Sequence, residues 1–337
     1  MAFDRSGDDA DLADVLLPAT SLLHGQYRVG SFLSSGGFGI TYLAKDSLDR
    51  DVVLKECFVP DFCLRQQTRV RPRSENSKAN LQKVLRGFMN EARILASLSH
   101  PNIVRIHQVF EDNGTAYMAL DLIKGHDLHD IIDEKKAVLT PDQIVAMARK
   151  LISALAHIHD RHILHCDISP DNICVQPDGD PVLIDFGSAR AADPVPGGAE
   201  LGFSMVKDGY SPHELYNTNG SLGPWSDIYS LGASLYHAIT GNAPVDCQRR
   251  LSAKAEGRDD PLAPLVGTAV GYPTSFLASI DKAMAVKANA RHQTARDWLK
   301  TLSPFAASPD RPATRSVVLF RRSAAPAVAG DRIGQLA

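Results

Sequence analysis

The chain changes character at Gly125, and that change limits its fold more than any other feature. Before it, "YRVGSFL", "ITYLA", "VVLKEC", "IVRIHQVF" and "TAYMALDL" are β-branched or aromatic runs separated by turn signals such as "SLDRD" and "EDNG". After it, "TPDQIVAMARKLISALAHIHD" and "WSDIYSLGASLYHAIT" carry long apolar faces. The first opens on a cap-like Thr140, with Pro141 at the first helical position and Gln143 three residues after the Thr. The second is stopped by Gly241. One helix interrupts the strands, with Leu81, Val84, Leu85, Phe88, Ile94, Leu95 and Leu98 at helical recurrence. The prediction is an α+β chain with a small strand-rich N-lobe (about 26–123), one main helix in it, and a larger, mostly helical C-lobe (about 124–303). Residues 1–25 read as a flexible leader, 58–80 as a long polar loop with a solvated run of Arg65, Arg69, Arg71, Arg73 and Lys78, and 304–337 as a disordered Pro-, Ala- and Arg-rich tail.

Composition narrows the function. The net charge of −3 argues against a nucleic-acid partner or an anionic membrane surface. Five cysteines, at 57, 63, 166, 174 and 247, form no Cys-x-x-Cys pair, and "MAFDRSGDDADLAD" lacks the order of a signal peptide. No run approaches the roughly 18 apolar residues of a membrane span. The expectation is a soluble, reduced, cytoplasmic protein.

Three signals carry chemistry. The cluster "SSGGFG" between two strands would let backbone N–H groups approach phosphate oxygens, although a tight hairpin would use the same glycines. Lys55, amid "VVL", needs an anion or water, and Glu91 on the following helix is a candidate partner; an edge-strand lysine and a wet glutamate are the competing reading. "HCDISPDN" followed by "VLIDFG" brings Asp167, Asn172 and Asp185 into adjacent segments, a set of hard oxygen ligands suited to Mg²⁺.

In the order they occur, "GGFGITYLA", "LKE", "NEARILASLSHPNIVRI", "GTAYMALDL", "HCDISPDN", "VLIDFGSAR" and "GPWSDIYSLGASLYHAITG" resemble a eukaryotic-type (Hanks-type) serine/threonine protein kinase domain of a bacterial branch, over residues 27 to about 302. The resemblance implies an ATP- and Mg²⁺-dependent enzyme that transfers the γ-phosphoryl group to hydroxyls of a protein substrate. It assigns Ser34, Gly36, Gly37, Phe38 and Gly39 to the loop over the phosphates, and Thr41, Val53, Leu120, Asp121, Ile123 and Asp127 to the nucleotide pocket, with Leu120 as gatekeeper. Lys55, paired with Glu91, would bind the α- and β-phosphates. Asp167 would accept the hydrogen bond of the attacking hydroxyl, and Asn172 and Asp185 would hold Mg²⁺. Glu214 with Arg291 resembles the ion pair at the end of the activation segment, and Asp227 the buried aspartate beneath the catalytic loop.

The departures are specific. Ser34 stands for the first loop glycine, and Thr41 and Val53 stand for the usual Val and Ala around adenine. Cys166 replaces the Arg that grips an activation-loop phosphate in the family, so activity independent of such phosphorylation is expected. Ser169 replaces the Lys that contacts the transferring phosphate, while Lys207 stands where the family has Thr, so that Lys207 is a candidate for the displaced charge. His213 replaces a Pro, with no chemistry attached to it. A pseudokinase that binds ATP as a regulatory scaffold is the alternative function, supported by Cys166, Ser169 and Ser34 and opposed by five retained residues. A small-molecule kinase is disfavoured by "DGYSPHELY", which resembles a protein-substrate platform. A metal reading of His157, His159, His162 and His165 lacks zinc-site spacing. Ser308, Thr314, Ser316 and Ser323 in the tail are candidate autophosphorylation sites by exposure alone.

Overall fold

The computed structural model describes residues 14–37, 39–134, 138–192, 206–217 and 220–302. Phe38, Ser204, most of the leader and the tail with its serines lie outside the described residues.

Six strands form one antiparallel sheet: β1 (Ser21–Leu22), β2 (Tyr27–Gly36), β3 (Gly39–Asp46), β4 (Asp51–Cys57), β7 (Ile106–Asp112) and β8 (Thr115–Asp121), in the order β1-β2-β3-β4-β8-β7. Alternation decides which side of it is core. Tyr42, Val52, Leu54, Glu56, Tyr117 and Ala119 are buried on one face, so Val53 and Lys55 point to the other. The "EDNG" turn closes on Asn113 (φ 52°) and Gly114 (φ 78°), the left-handed pair that a two-residue hairpin loop requires.

Two readings of this lobe are corrected. Residues 58–80 are not one loop: β5 (Cys63–Gln66) and β6 (Arg69–Pro72) form a hairpin, and helix α1 (Glu75–Ser97) already begins at Glu75. Its first turns are polar, so apolar recurrence misses them, but Ser74 Oγ accepts the Ser77 N–H as a cap. Arg65 is not solvated either. Its side chain is 2% exposed and pairs with the fully buried Glu56 at 2.6 Å, while Glu56 also accepts from Tyr42 Oη (2.8 Å) and Tyr117 Oη (2.6 Å). Burial of a carboxylate is tolerated where cation and hydroxyl donors satisfy it together. The second correction concerns the leader. From residue 14 it packs on the sheet, because Leu16 and Leu22 supply core side chains and the Leu16 N–H donates to Tyr42 Oη.

Beyond β9 (His126–Asp127) and α2 (Leu128–Asp133) the chain is mostly helical: α3 (Pro141–His159), α4 (Pro224–Thr240), α5 (Cys247–Ala255), α6 (Thr274–Ala283) and α7 (Ala295–Thr301). Short strands β10 (Ile163–Leu164), β11 (Ile173–Val175), β12 (Pro181–Leu183) and β13 (Arg190–Ala191) frame the loops between α3 and α4. The Thr140–Gln143 cap is reciprocal, each side chain meeting the other's backbone N–H. Gly241 ends α4 in the left-handed region (φ 69°). Among the described residues no helix is long and apolar enough to cross a membrane.

All five cysteines are free and buried, and burial pushes their thiols up to about 12 for Cys57, Cys166 and Cys247 and about 11 for Cys63 and Cys174. Thiolate is the reactive species. Native protein is therefore expected to resist iodoacetamide at mildly alkaline pH, with all five thiols reacting in denaturant. Rapid native labelling, read by intact mass, would contradict this packing.

Candidate active site

Cross-strand partners share a sheet face. Thr41 lies opposite Lys55, and Val53 lies opposite Leu120, so the register lines up Thr41, Val53, Lys55 and Leu120 on the side away from the core. At the tip of the same sheet Ser34 pairs with Thr41, and Gly36 with Gly39. The two paired glycines do different work. A Cβ on Gly39 would come within 2.3 Å of the Glu56 carbonyl oxygen, whereas one on Gly36 would meet nothing within 4 Å. Gly39 is therefore required by the sheet, and Gly36 leaves open backbone of the kind that phosphate oxygens approach.

Helix α1 turns Glu91 inward, where its carboxylate sits 3.0 Å from Lys55 Nζ. Asp185 reaches the same ammonium at 2.7 Å. Burial works against all three charges, and their mutual attraction opposes it. The outcome differs by residue: Lys55 is held protonated by Asp185 and Glu91, burial pushes the Glu91 carboxyl up despite Lys55, and Lys55 overcomes burial to hold Asp185 down at about 2. Asp185 itself has φ 61°, uncommon for a residue with a side chain, and the following turn is fixed by Gly187 N–H donating to its Oδ1 (3.1 Å).

The loop carrying Asp167 is built on α4. Asp227, 1% exposed, accepts the N–H groups of His165 (2.9 Å) and Cys166 (2.8 Å) and bonds His159 Nε2 (2.9 Å). These bonds hold Cys166 at φ 62°. Asn172 Nδ2 then donates to Asp167 O (2.8 Å) and Oδ2 (3.0 Å). Burial pushes the Asp167 carboxyl up to about 6, against the pull of Lys207. Lys207 Nζ stands 3.3 Å from Asp167 Oδ1, 2.8 Å from Ser169 Oγ and 2.6 Å from Asp171 Oδ2.

The donor set fits a hard divalent cation. With its amide N–H₂ spent on Asp167, Asn172 keeps its carbonyl oxygen as a ligand atom, and Asp185 adds a carboxylate. Among the described residues, Glu91, Asp167, Asp171 and Asp185 form their ion pairs with Lys55 and Lys207, so four carboxylates meet two ammoniums. The pocket residues divide. Asp121 spends its N–H on Arg105 O and its carboxylate on His107, while among the described residues nothing bonds the backbone N–H or C=O of Ile123. Asp127 caps α2 by accepting the Asp130 N–H (2.7 Å). The tandem histidines hold no shared ligand cluster among the described residues: His159 braces Asp227, and His165 packs against Phe186 with the rings tilted by 50°.

Sequence reasoning missed Asp171 and the Glu56–Arg65 pair. Asp171 had a usable signal, since it follows Ser169 by two residues in the loop that carries Asp167. Arg65 had none, because its partner is nine residues away on another strand.

The protein kinase domain model matches residues 27–262. The chain is similar to serine/threonine-protein kinase PknL of Mycobacterium tuberculosis, 28% identical over 76% of this chain and 60% of that protein. It is also similar to serine/threonine-protein kinase PrkC of Bacillus subtilis, 30% identical over 82% of this chain and 40% of that protein. It thus spans three-fifths or less of the length of these curated relatives. A solved structure, the apo form of PpkA-294, superposes with a TM-score of 0.73 at 32% identity, over 86% of this chain and 99% of that one.

The buried Arg291–Glu214 pair (2.6 Å; side chains 0% and 5% exposed) closes the segment after Lys207, with Arg291 also donating to Ala285, Val286 and Trp225 carbonyls. Removing one partner leaves the other charge buried. Arg291→Met is expected to cost about 3–5 kcal/mol in urea unfolding, and a loss below about 1 kcal/mol would contradict its buried role.

Proposed function

The chain belongs to the protein kinase domain family and has that family's fold, and on that premise we infer that it transfers the γ-phosphoryl group of ATP to a Ser or Thr hydroxyl of a protein. The observation that carries this reading is the meeting of Glu91 and Asp185 on Lys55 (3.0 and 2.7 Å) beside the Asn172–Asp167 pair (2.8 and 3.0 Å), from four separate stretches of sequence joined by the Ile184 N–H on Asn172 O (3.0 Å). PknL and PrkC are named serine/threonine kinases, which supports a hydroxyl acceptor on protein.

In this reading Glu91 fixes the Lys55 ammonium against the α- and β-phosphates. Asp167, oriented by Asn172, accepts the hydrogen bond of the attacking hydroxyl and aims its oxygen at the phosphorus. Mg²⁺, held by Asn172 and Asp185, supplies charge neutralisation for the phosphoryl group when bound. Thr41, Val53 and Leu120 enclose the adenine, and the free backbone of Ile123 recognises its edge. Lys207 supplies the cation that Ser169 does not, from the activation-segment side of Asp167. Catalysis then rests on position and charge.

Phosphate incorporation from labelled ATP with Mg²⁺, into the protein itself and a generic basic substrate, tests the activity. Transfer by the parent, slowed at least about 10²-fold in Asp167→Asn, is expected. No transfer by the parent, with ATP–Mg²⁺ still raising its melting temperature, would favour the nucleotide-binding scaffold instead.

Cys166 also bears on regulation. It is 2% exposed and offers no charge to an activation-loop phosphate. Ser188→Ala with Ser204→Ala is expected to keep the rate within about twofold, and a loss beyond about tenfold would overturn phosphorylation-independent activity.

A further inference from the structure

The Lys207 ammonium has three N–H donors and three acceptors, and the contacts are unequal. The shortest runs to Asp171 Oδ2 (2.6 Å), the next to Ser169 Oγ (2.8 Å), and the longest to Asp167 Oδ1 (3.3 Å). Ser169 is fully buried, and its hydroxyl and the Asp171 carboxylate meet the same ammonium, at 2.8 and 2.6 Å. The Ser169 hydroxyl thus serves as a neutral second acceptor for the ammonium beside the anionic one.

The stem of Lys207 is fixed separately from its head. Its N–H donates to Ser211 Oγ (2.9 Å), and its carbonyl accepts the N–H groups of Tyr210 (3.0 Å) and Ser211 (2.9 Å). Tyr210 is tied in turn to His237 of α4 by a 2.8 Å bond. With the backbone held, the position of the charge depends on what meets Nζ. Without Asp171 the nearest anion is Asp167, and direct pairing would occupy the carboxylate on which the acceptor hydroxyl depends.

We propose that Asp171, with Ser169 as a second acceptor, is a positioning residue that latches Lys207 beside Asp167 without letting it pair fully with that carboxylate. The proposal rests on the reading of Lys207 as the charge that Ser169 does not supply. Asp171 suits the task because it lies in the short turn Pro170–Asn172, next to the Asn172 that orients Asp167. The latch and the hydroxyl acceptor therefore belong to one rigid segment. Half of the Asp171 side chain is exposed, and a quarter of Lys207. The ammonium can accordingly exchange Asp171 for a phosphoryl oxygen without crossing a desolvated gap.

Steady-state kinetics of Asp171→Asn, Asp171→Glu, Lys207→Met and the Asp171→Asn/Lys207→Met double variant test the latch. Asp171→Asn is expected to lower kcat about tenfold, with KM for ATP within about twofold, and Asp171→Glu to recover most of the loss. The double variant should be no slower than Lys207→Met alone, since the latch has no role once its cation is gone. An Asp171→Asn enzyme as fast as the parent, beside a slow Lys207→Met, would overturn the latch and leave the Lys207 reading standing. Losses that multiply in the double variant would overturn it too, because the two residues would then act separately. A Lys207→Met enzyme with the parent's rate would remove the premise and the latch together.

Discussion

A buried carboxylate on the helical side holds the Asp167 loop in shape. Asp227 lies on α4 at 1% exposure, and its two oxygens hold the backbone of His165 and Cys166 and the ring of His159. Each bond to an ionised acceptor in a buried setting is stronger than its neutral equivalent. Together they stabilise a left-handed Cys166 that would otherwise carry a conformational penalty of about 1–3 kcal/mol. That turn sets the direction of Asp167, and Asn172 completes it from the other end of the loop. The placement of Asp167 thus begins as a helix–loop hydrogen-bond problem.

Above this loop, charge balance organises the rest. Lys55 is the junction of three elements: strand β4, helix α1 through Glu91, and the Asp185 loop. On the far face of β4 the neighbouring Glu56 performs a structural version of the same task, collecting Tyr42, Tyr117 and Arg65. Adjacent residues on one strand thus serve opposite faces, one toward Glu91 and Asp185 and one toward the β5–β6 hairpin and the segment around Leu16. The basic hairpin is consequently part of the lobe's core and not an appendage.

Much of this was legible in sequence because it is local or periodic. The strand runs, the Thr140–Gln143 cap, the "EDNG" turn and the Gly241 stop each follow from a short stretch, and the order of motifs carried the resemblance to the family. The register of β3, β4 and β8, which aligns Thr41, Val53 and Leu120 with Lys55, follows from alternation once the strands are paired. What was missed depends on long-range satisfaction of charge. Nothing in "LRQQTRVRPR" distinguishes the buried Arg65 from the exposed Arg69 and Arg71, since the difference is made by Glu56 across the fold. The first turns of α1 were missed because polar residues leave no apolar recurrence. Asp171 reads locally as a turn former, and its role depends on Lys207, which meets it from 36 residues away.

The central claim is that the cation absent from position 169 is supplied from position 207. The most direct measurement is the rate of phosphoryl transfer by the reciprocal exchange, Ser169→Lys with Lys207→Thr, beside Lys207→Thr alone. The account predicts a slow single variant, down about 10²-fold, and an exchanged enzyme recovered to within about tenfold of the parent. An exchanged enzyme no faster than the single variant would contradict it.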